Sequence, residues 1–546
     1  MNIRRLAPGV ATPPAFWGGP LLLVACVLLF GSSVSDAEDT AAAMASTQFG
    51  PVRGALESGI DVFRGIPYGA ATDGPNRFRP PVPPRPWTKV RDATAFGDRC
   101  PQLTLPGGSA FSSWSEPTHA SEDCLNLNVW TPGLRDGRRR PVMVWLHGGG
   151  YALSSGASSV FDGTRLARRG DVVVVTLNHR LNLFGYLYLA KFAGSDYPDS
   201  GNVGQLDIVA ALRWVRDNIA EFGGDPNAVM IFGESGGGGK VGTLMAMPAA
   251  KGLFQRAAME SGFAVTAISA DAATKTAESL LAALHLRRQD IRRLASLPTA
   301  KLLAALDQLT HGSPFGFGPV VDGRSLPRDP FSPDAPEVSA DVPLIVGSNG
   351  TETTILFPPA GAFDLDWDGL EKQLQASGIP AAAVGSLVAG FRTLKPDATP
   401  SDLYFTITTE RGMGANAMAV AERKAALGRA PAYLYRLEWR TPVEGGRLRA
   451  PHGLDVPMVF DNVAKSESLV GPDLSRVQQI ADAMSDAWIA FARSGTPSSP
   501  GLASWPAYDT RLKSTMVFNV VSRSIDDPLH DEHALLAPVA RRPSSP

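Results

Sequence analysis

The stretch Val229-Met-Ile-Phe-Gly-Glu-Ser-Gly-Gly237 joins an apolar, β-prone run to a turn that is rich in glycine. Its last five residues match the G-x-S-x-G pattern, in which a serine occupies a strained turn between a strand and a helix. Small residues on both sides permit that turn, and the following helix points its free N–H groups towards the serine. The pattern predicts that Ser235 is a nucleophile. An ordinary glycine-rich turn is the alternative.

A second glycine-rich turn lies upstream, in Pro141-Val-Met-Val-Trp-Leu-His-Gly-Gly-Gly-Tyr151, again after an apolar run. A loop of the HGGG type supplies backbone N–H groups to an oxyanion hole. We therefore expect the amides of Gly149 and Gly150 to join that of Gly236 around a carbonyl oxygen. The alternatives are a plain turn at the end of a strand, or glycines that hold open a phosphate site.

The run Gly236-Gly-Gly-Gly-Lys240 has a superficial likeness to a nucleotide-binding loop. The pattern G-x-x-x-x-G-K-[ST] requires glycine six residues before the lysine and Ser or Thr after it. Glu234 and Val241 occupy those two positions, and a glutamate would stand where phosphates need neutral backbone. The sequence therefore argues against a nucleotide site.

Further motifs follow these turns in a characteristic order, among them Ser121-Glu-Asp-Cys-Leu-Asn-Leu-Asn-Val-Trp130. Together they resemble the type-B carboxylesterases, the carboxylesterase/cholinesterase family that includes para-nitrobenzyl esterases, over nearly the whole chain after its N-terminal segment. The resemblance implies an α/β-hydrolase fold, with a mostly parallel central sheet, flanking helices and helical cap insertions. The other matching segments are residues 63–68, 77–81, 86–87, 178–185, 201–207, 222–226, 318–323 and 505–508.

Proteins of this fold carry the base and its orienting acid in the chain order Ser…Asp/Glu…His. His452 lies in Pro451-His-Gly-Leu-Asp-Val-Pro-Met-Val-Phe460, which is similar to the family's segment with the catalytic histidine. Glu352 follows Asn349 by three residues after an apolar run, as in the family's acid segment. The resemblance thus implies a triad of Ser235, Glu352 and His452. A solvated loop glutamate is the alternative for Glu352.

The resemblance also implies supporting roles for Glu234, which would tune the electrostatics of the site, and for Ser261, which would support it through hydrogen bonds. A purely structural role is the alternative for both residues. Gly236 departs from the family, because relatives generally have alanine there. Four glycines at the start of a helix lower its propensity by up to about 1 kcal/mol each relative to alanine. We therefore expect Gly236→Ala to be tolerated.

The predicted function is hydrolysis of small to medium apolar or aryl carboxylic esters through an acyl-enzyme intermediate. His452 would move the proton of Ser235, Glu352 would orient the imidazole, and no metal or organic cofactor would be required. A catalytically silent binding protein on the same fold is the alternative from another class, although such relatives lose a triad member. Whether an amide or carbamate is also cleaved stays open.

The composition fits a globular enzyme, with 546 residues, of which 44% are hydrophobic and 19% charged. Interleaved motifs favour one domain over residues 36–546, and the Ala/Leu-rich stretches 267–309 and 370–427 are expected to be helical and to cover the site. Trp114, Phe315, Phe317 and Phe357 are candidates for an apolar pocket, or else core residues. A net charge of −2 gives no reason to expect nucleic-acid binding. The sequence makes no prediction about the oligomeric state.

The N-terminal segment predicts export. Arg4 and Arg5 precede a short apolar run that ends at Phe30, which is typical of a secretory signal peptide over residues 1–35 and too short for a comfortable membrane span. The expected location is secreted or periplasmic, with a lipid anchor through Cys26 as the alternative. The resemblance then implies a disulfide between the remaining cysteines, Cys100 and Cys124. Two reduced core cysteines are the alternative.

Overall fold

The computed structural model describes residues 43–104, 110–114, 116–311, 313, 315–356 and 358–540. The predicted signal peptide, Cys26 and Phe357 lie outside these residues. The strands are β1 Met44–Thr47, β2 Gly50–Arg53, β3 Ala55–Glu57, β4 Ile60–Pro67, β5 Arg91–Asp92, β6 Asn126–Thr131, β7 Arg140–Leu146, β8 Val173–Leu177, β9 Gly224–Glu234, β10 Arg256–Glu260, β11 Ile268–Ser269, β12 Val320–Val321, β13 Leu344–Asn349, β14 Ala432–Leu437, β15 Ser514–Phe518 and β16 Arg523–Asp526.

The α-helices lie between and beyond these strands, and a short π-helix over Glu410–Gly414 joins two of them. They are α1 Thr164–Gly170, α2 Asn182–Tyr186, α3 Ala190–Ala193, α4 Val203–Asn218, α5 Gly236–Ala246, α6 Ala270–Ala283, α7 Thr299–Thr310, α8 Trp367–Ala376, α9 Ala381–Leu394, α10 Pro400–Thr409, α11 Ala415–Leu427, α12 Val456–Val459, α13 Glu467–Val470, α14 Leu474–Ser494 and α15 His530–Leu536.

One large sheet organises the described part of the chain, in the order β16-β15-β14-β13-β10-β9-β7-β8-β6-β4-β3. Every pairing from β15 to β8 in this order is parallel. The pairings at its two margins are antiparallel. This mixed sheet, with helices packed against it, confirms the predicted α/β-hydrolase fold. Parallel strands place all their carboxyl ends at one edge, where sheets of this kind bind ligands.

Both faces of the sheet are covered at its centre, which explains why the central strands contain continuous apolar runs. Strand β7 shows the pattern: Val142 and Val144 belong to one core with helices α4, α5 and α11, whereas Met143 and Trp145 belong to another with α1, α12 and α14. Because side chains alternate along a strand, this run serves two cores. The mostly parallel central sheet that the resemblance implies is confirmed.

The two Ala/Leu-rich stretches are helical, as predicted. Helices α6 and α7 pack with Tyr151 and Tyr186 in a separate apolar cluster, which places the first stretch beside the HGGG loop. Helices α8, α9 and α10 form a further cluster with α15. Cys100 and Cys124 form a disulfide bond just before β6. Among the helices that the structure describes, none combines the length and the apolar character needed to cross a bilayer.

Candidate active site

The turn at Ser235 has the geometry of a nucleophile elbow. Strand β9 ends at Glu234, helix α5 begins at Gly236, and Ser235 between them has φ +55° and ψ −126°. Neighbouring backbone leaves no room for side chains around it. A Cβ at Gly262 would lie 1.6 Å from the Ser235 carbonyl oxygen, and one at Gly237 would lie 2.0 Å from that of Leu146. Tertiary packing therefore requires glycine at Gly237 of the motif and at Gly262, which follows β10.

The HGGG loop leaves β7 and passes directly over the elbow. Gly149 and Gly150 adopt positive φ angles of 82° and 63°, which glycine reaches without strain. A Cβ at Gly148 would stand 3.4 Å from that of Ser235. Within the described residues, the amides of Gly149, Gly150 and Gly236 take part in no backbone hydrogen bond. Three free donors thus lie on the two segments that the sequence assigns to an oxyanion hole.

Gly236 differs from expectation. A Cβ there would lie 2.0 Å from the carbonyl oxygen of Gly150 and 2.4 Å from its Cα. Real Cβ atoms do not approach backbone so closely, so alanine requires the loop to move. The prediction that Gly236→Ala is tolerated is therefore wrong for this structure. Helix propensity is a local quantity and is overridden here by a contact with a distant segment.

The imidazole of His452 lies between two carboxylates. Its Nδ1 is 2.6 Å from Oε2 of Glu352, which extends from the loop after β13. Its Nε2 is 3.1 Å from Oε1 of Glu234, although these two atoms are not aligned for a hydrogen bond. All three side chains are almost completely buried. The predicted acid and base are thus in hydrogen-bonding contact, and Glu234 is a second carboxylate neighbour.

The pKa values of His452 and Glu234 follow from their burial and from the charges beside them. Burial opposes the charged imidazole, but the carboxylates of Glu234 and Glu352 outweigh it and raise the pKa of His452 to about 9. Burial also raises the pKa of Glu234 to about 8. Since these two groups are in contact, they titrate as a pair.

The hydrogen bond between Ser235 and His452 is not formed in this structure. Among the described residues, Nε2 of His452 has no hydrogen-bond partner. Such bonds often tighten only when substrate binds.

Three residues that the sequence did not assign to the site hold its loops together. The Asn349 amide N–H donates to Glu352 Oε1 at 2.7 Å, and its side-chain Nδ2 donates to the Pro451 carbonyl at 2.8 Å. Asp455 accepts from Asn349 at 3.2 Å and from the Tyr435 hydroxyl at 2.7 Å. These bonds join the acid loop to the histidine loop. The sequence signal for Asn349 and Asp455 was their position inside the acid segment and the histidine segment, respectively.

Lys240 is the other unassigned residue. It lies on α5, is fully buried, and donates from Nζ to the carbonyl oxygens of His147 at 2.8 Å and Gly150 at 2.9 Å. Burial lowers the pKa of Lys240 to about 7, against the opposing attraction of Glu234. The sequence signal was weak: a single charged residue in a helix whose other residues are glycine, apolar residues and one threonine.

Ser261 lies buried at the end of β10, with its amide bonded to the Gly347 carbonyl at 2.9 Å. Its hydroxyl, however, has no hydrogen-bond partner among the described residues. The hydrogen-bonding support expected from Ser261 is therefore not formed in this structure. Its role at the site stays a prediction.

Aromatic rings flank the elbow on two sides. A Cβ at Gly150 would lie 2.8 Å from the ring of Phe315. A Cβ at Gly453, next to His452, would lie 2.9 Å from Phe111 and 3.4 Å from Trp114. Phe315 and Trp114 thus fit the predicted apolar wall, whereas Phe317 packs in the α6–α7 cluster. Phe111 was missed, since it stands outside any motif.

The sheet, the elbow serine and the buried Glu–His pair define a hydrolase of the α/β type. Comparison with known proteins makes the class more specific. The model of the carboxylesterase family matches residues 41–534, and the chain therefore belongs to that family. The chemistry of the family is the hydrolysis of carboxylic esters.

Individual relatives align over most of their length. The chain is 35% identical to the para-nitrobenzyl esterase of Bacillus subtilis over 90% of this chain and 98% of that protein. It is 34% identical to the phenmedipham hydrolase of Pseudarthrobacter oxydans, over 85% and 92% respectively. Among solved structures, the carboxylesterase EST55 of Geobacillus stearothermophilus is similar with a TM-score of 0.78 and 37% identity, covering 90% of this chain and 99% of that one.

Proposed function

We propose that this protein hydrolyses small to medium apolar or aryl carboxylic esters, with Ser235 as nucleophile, His452 as base and Glu352 as its orienting acid. The observation that carries the proposal is the buried contact of 2.6 Å between His452 Nδ1 and Glu352 Oε2, beside a serine at φ +55°. A carboxylate at Nδ1 keeps the proton on that nitrogen and leaves Nε2 as the atom that accepts one.

In the proposed reaction, His452 Nε2 takes the proton of Ser235 as its oxygen attacks the ester carbonyl. The developing negative oxygen is stabilised by the amides of Gly149, Gly150 and Gly236, and losing one such donor typically costs about 3–4 kcal/mol of barrier. The imidazolium then protonates the leaving alcohol. Water repeats these steps on the acyl-enzyme and releases the acid, so the cycle requires no metal or cofactor.

The substrate class rests on the walls of the site and on the relatives. Phe315 packs on the HGGG loop, and Phe111 and Trp114 pack beside His452. Aromatic walls favour apolar acyl or aryl groups. Two relatives are a para-nitrobenzyl esterase and a phenmedipham hydrolase, and the first of these names specifies an aromatic ester group.

We further propose that residues 36–546 are one catalytic domain, exported after removal of residues 1–35, with the Cys100–Cys124 disulfide formed in the mature protein. Strands β3 and β16, from opposite ends of the chain, share one sheet, which supports a single domain. An intact mass of the exported protein that begins after residue 35, two hydrogens lighter than the reduced form, would agree. Retention of a lipidated Cys26 would establish the anchored alternative.

The deciding experiment measures hydrolysis of p-nitrophenyl esters from acetate to laurate, by the wild type and by Ser235→Ala, with a chelator present. We expect chelator-insensitive turnover that falls by about 10⁴-fold or more in the variant. The chain-length profile then gives the size of the acyl pocket, and matching anilides and carbamates test the other leaving groups. A folded wild type that hydrolyses none of the esters would contradict the proposal and favour the silent binding role.

A further inference from the structure

We propose that Lys240 is a positioning residue of the oxyanion hole, and that Gly236 is present because Lys240 holds the HGGG loop against helix α5. The inference rests on the proposed function, since it concerns the same three amides. It goes beyond the proposed function because it assigns a role to a buried lysine that takes no part in the triad.

The contacts of Lys240 bracket the loop. Its ammonium binds the carbonyl oxygens of His147 and Gly150, the residues at either end of the segment that contains Gly148 and Gly149. The Nζ atom also lies 5.5 Å from the centre of the Tyr151 ring. A buried ammonium is costly unless its donors are satisfied, so these carbonyls are held firmly in place. The two peptide units that carry the Gly149 and Gly150 amides lie between these two anchored carbonyls, which restricts their movement over the elbow.

The same oxygen links Lys240 to Gly236. The Gly150 carbonyl oxygen that accepts from Lys240 at 2.9 Å is the atom that a Cβ at Gly236 would approach to 2.0 Å. Lys240 therefore draws the loop into the space that a side chain at residue 236 would fill. A side chain at Gly239 would also be too close to its surroundings, because a Cβ there would lie 2.6 Å from the Tyr151 hydroxyl. The glycines at the start of α5 make room for the loop that Lys240 holds.

This arrangement predicts that the two positions depend on each other. With Lys240 in place, Gly236→Ala must displace the Gly150 carbonyl against its hydrogen bond to the Lys240 side chain. Without Lys240, the loop can shift to admit the methyl group. We expect Gly236→Ala to lower kcat by about 10²-fold in the wild-type background, because a displacement near 1 Å costs that much in an organised site. The same substitution in Lys240→Met should cost at least tenfold less, a ratio to be measured in a double-mutant cycle.

Lys240→Met alone should lower kcat with little change in KM, since the amides bind charge that develops in the transition state. A trifluoromethyl ketone provides a second readout. Ser235 adds to its carbonyl, the proton passes to His452, and the negative oxygen enters the oxyanion hole. Its inhibition constant should rise by a factor similar to the fall in kcat/KM. A lysine that only stabilised the fold would leave both values unchanged per folded enzyme.

Lys424 offers a matched control. It is also buried, and its Nζ donates to the carbonyls of Ser339 at 3.0 Å and Ala340 at 2.7 Å. These acceptors precede β13, at the edge of the sheet opposite the site. Lys424→Met should therefore lower stability while leaving kcat per folded enzyme as in the wild type. Folded fractions are measured by near-UV circular dichroism, and Lys240→Gln replaces Lys240→Met if the latter does not fold.

The inference is overturned if Gly236→Ala costs the same factor with and without Lys240, or if both substitutions at Lys240 leave kcat and ketone affinity unchanged. Either result would leave the esterase proposal intact, because loss of activity in Ser235→Ala tests that proposal separately. If Ser235→Ala retained full activity, the proposed function and this inference would fail together.

Discussion

His452 is the residue whose surroundings most affect the chemistry. The carboxylates of Glu352 and Glu234 approach its two nitrogens at 2.6 and 3.1 Å. Only the first contact orients the imidazole through an aligned hydrogen bond. The second adds negative charge beside the nitrogen that must accept a proton. We therefore propose that Glu234 stabilises the imidazolium that forms in the transition state, and that its charge also keeps His452 protonated to higher pH in the free enzyme.

This balance predicts the effect of Glu234→Gln. The pKa of His452 is raised, so the imidazole is protonated at pH values below that pKa. Because the base must be unprotonated to act, kcat/KM should increase with pH as that proton is lost. Removing one carboxylate lowers this pKa, so the acid limb of the pH profile should move to lower pH by about one unit. Maximal kcat should fall, because the imidazolium loses a stabilising neighbour. The measurement is kcat/KM from pH 5 to 10, and an acid limb that stays in place or moves to higher pH would contradict this assignment.

At the scale of elements, loops after β7, β9, β13 and β14 meet at the carboxyl edge of the sheet and carry the site. The disulfide acts at the margin of this arrangement. Cys124 lies two residues before the start of β6, and Cys100 belongs to a segment whose Asp98 carbonyl accepts a hydrogen bond from Asn126 of that strand. The bond closes a loop between two residues that are 24 positions apart.

We expect the double substitution Cys100→Ala/Cys124→Ala to lower the free energy of unfolding by about 3 kcal/mol, because the closed loop restricts the unfolded chain. The triad and the HGGG loop should be unaffected, so kcat should stay close to that of the wild type. Denaturant unfolding with and without reductant measures the effect. A reductant that shifts the double variant as much as the wild type would show that the stabilisation has another origin.

At the scale of the whole molecule, Arg77 connects the loop between β4 and β5 to the helical region that packs beside the HGGG loop. Its guanidinium is buried, pairs with Glu122, and donates to the carbonyls of Leu294 at 2.8 Å and Leu297 at 2.7 Å. Three segments far apart in the chain thus meet at one side chain. We expect the position of α6 and α7 beside the HGGG loop to depend on this contact.

Arg77→Met should loosen that region, since it leaves the Glu122 carboxylate buried without its partner, a change that typically costs about 3–5 kcal/mol. We expect faster tryptic cleavage between residues 287 and 293, where several arginines are exposed. Arg79→Met is the matched control, because Arg79 is exposed and stacks on Tyr197. Equal cleavage rates in the two variants would show that Arg77 does not secure this region.

Much of the protein is determined by local sequence. The elbow and the HGGG loop depend on glycines at turns, the strands on continuous apolar runs, and the helices of the two Ala/Leu-rich stretches on their composition. Each of these is a property of a few neighbouring residues, so it can be predicted before the structure is known. The order of Ser235, Glu352 and His452 along the chain also follows from the motifs that surround them.

Only the tertiary structure decided which of these segments touch. Glu352 and His452 are 100 residues apart, and Lys240 and Gly150 are 90 apart, yet each pair is in hydrogen-bonding contact. Such contacts depend on the order of strands in the sheet, which no local pattern encodes. Judged by helix propensity, Gly236 looked replaceable. The Gly150 carbonyl fills the space where its side chain would be, because the packing of two distant loops sets the room available there.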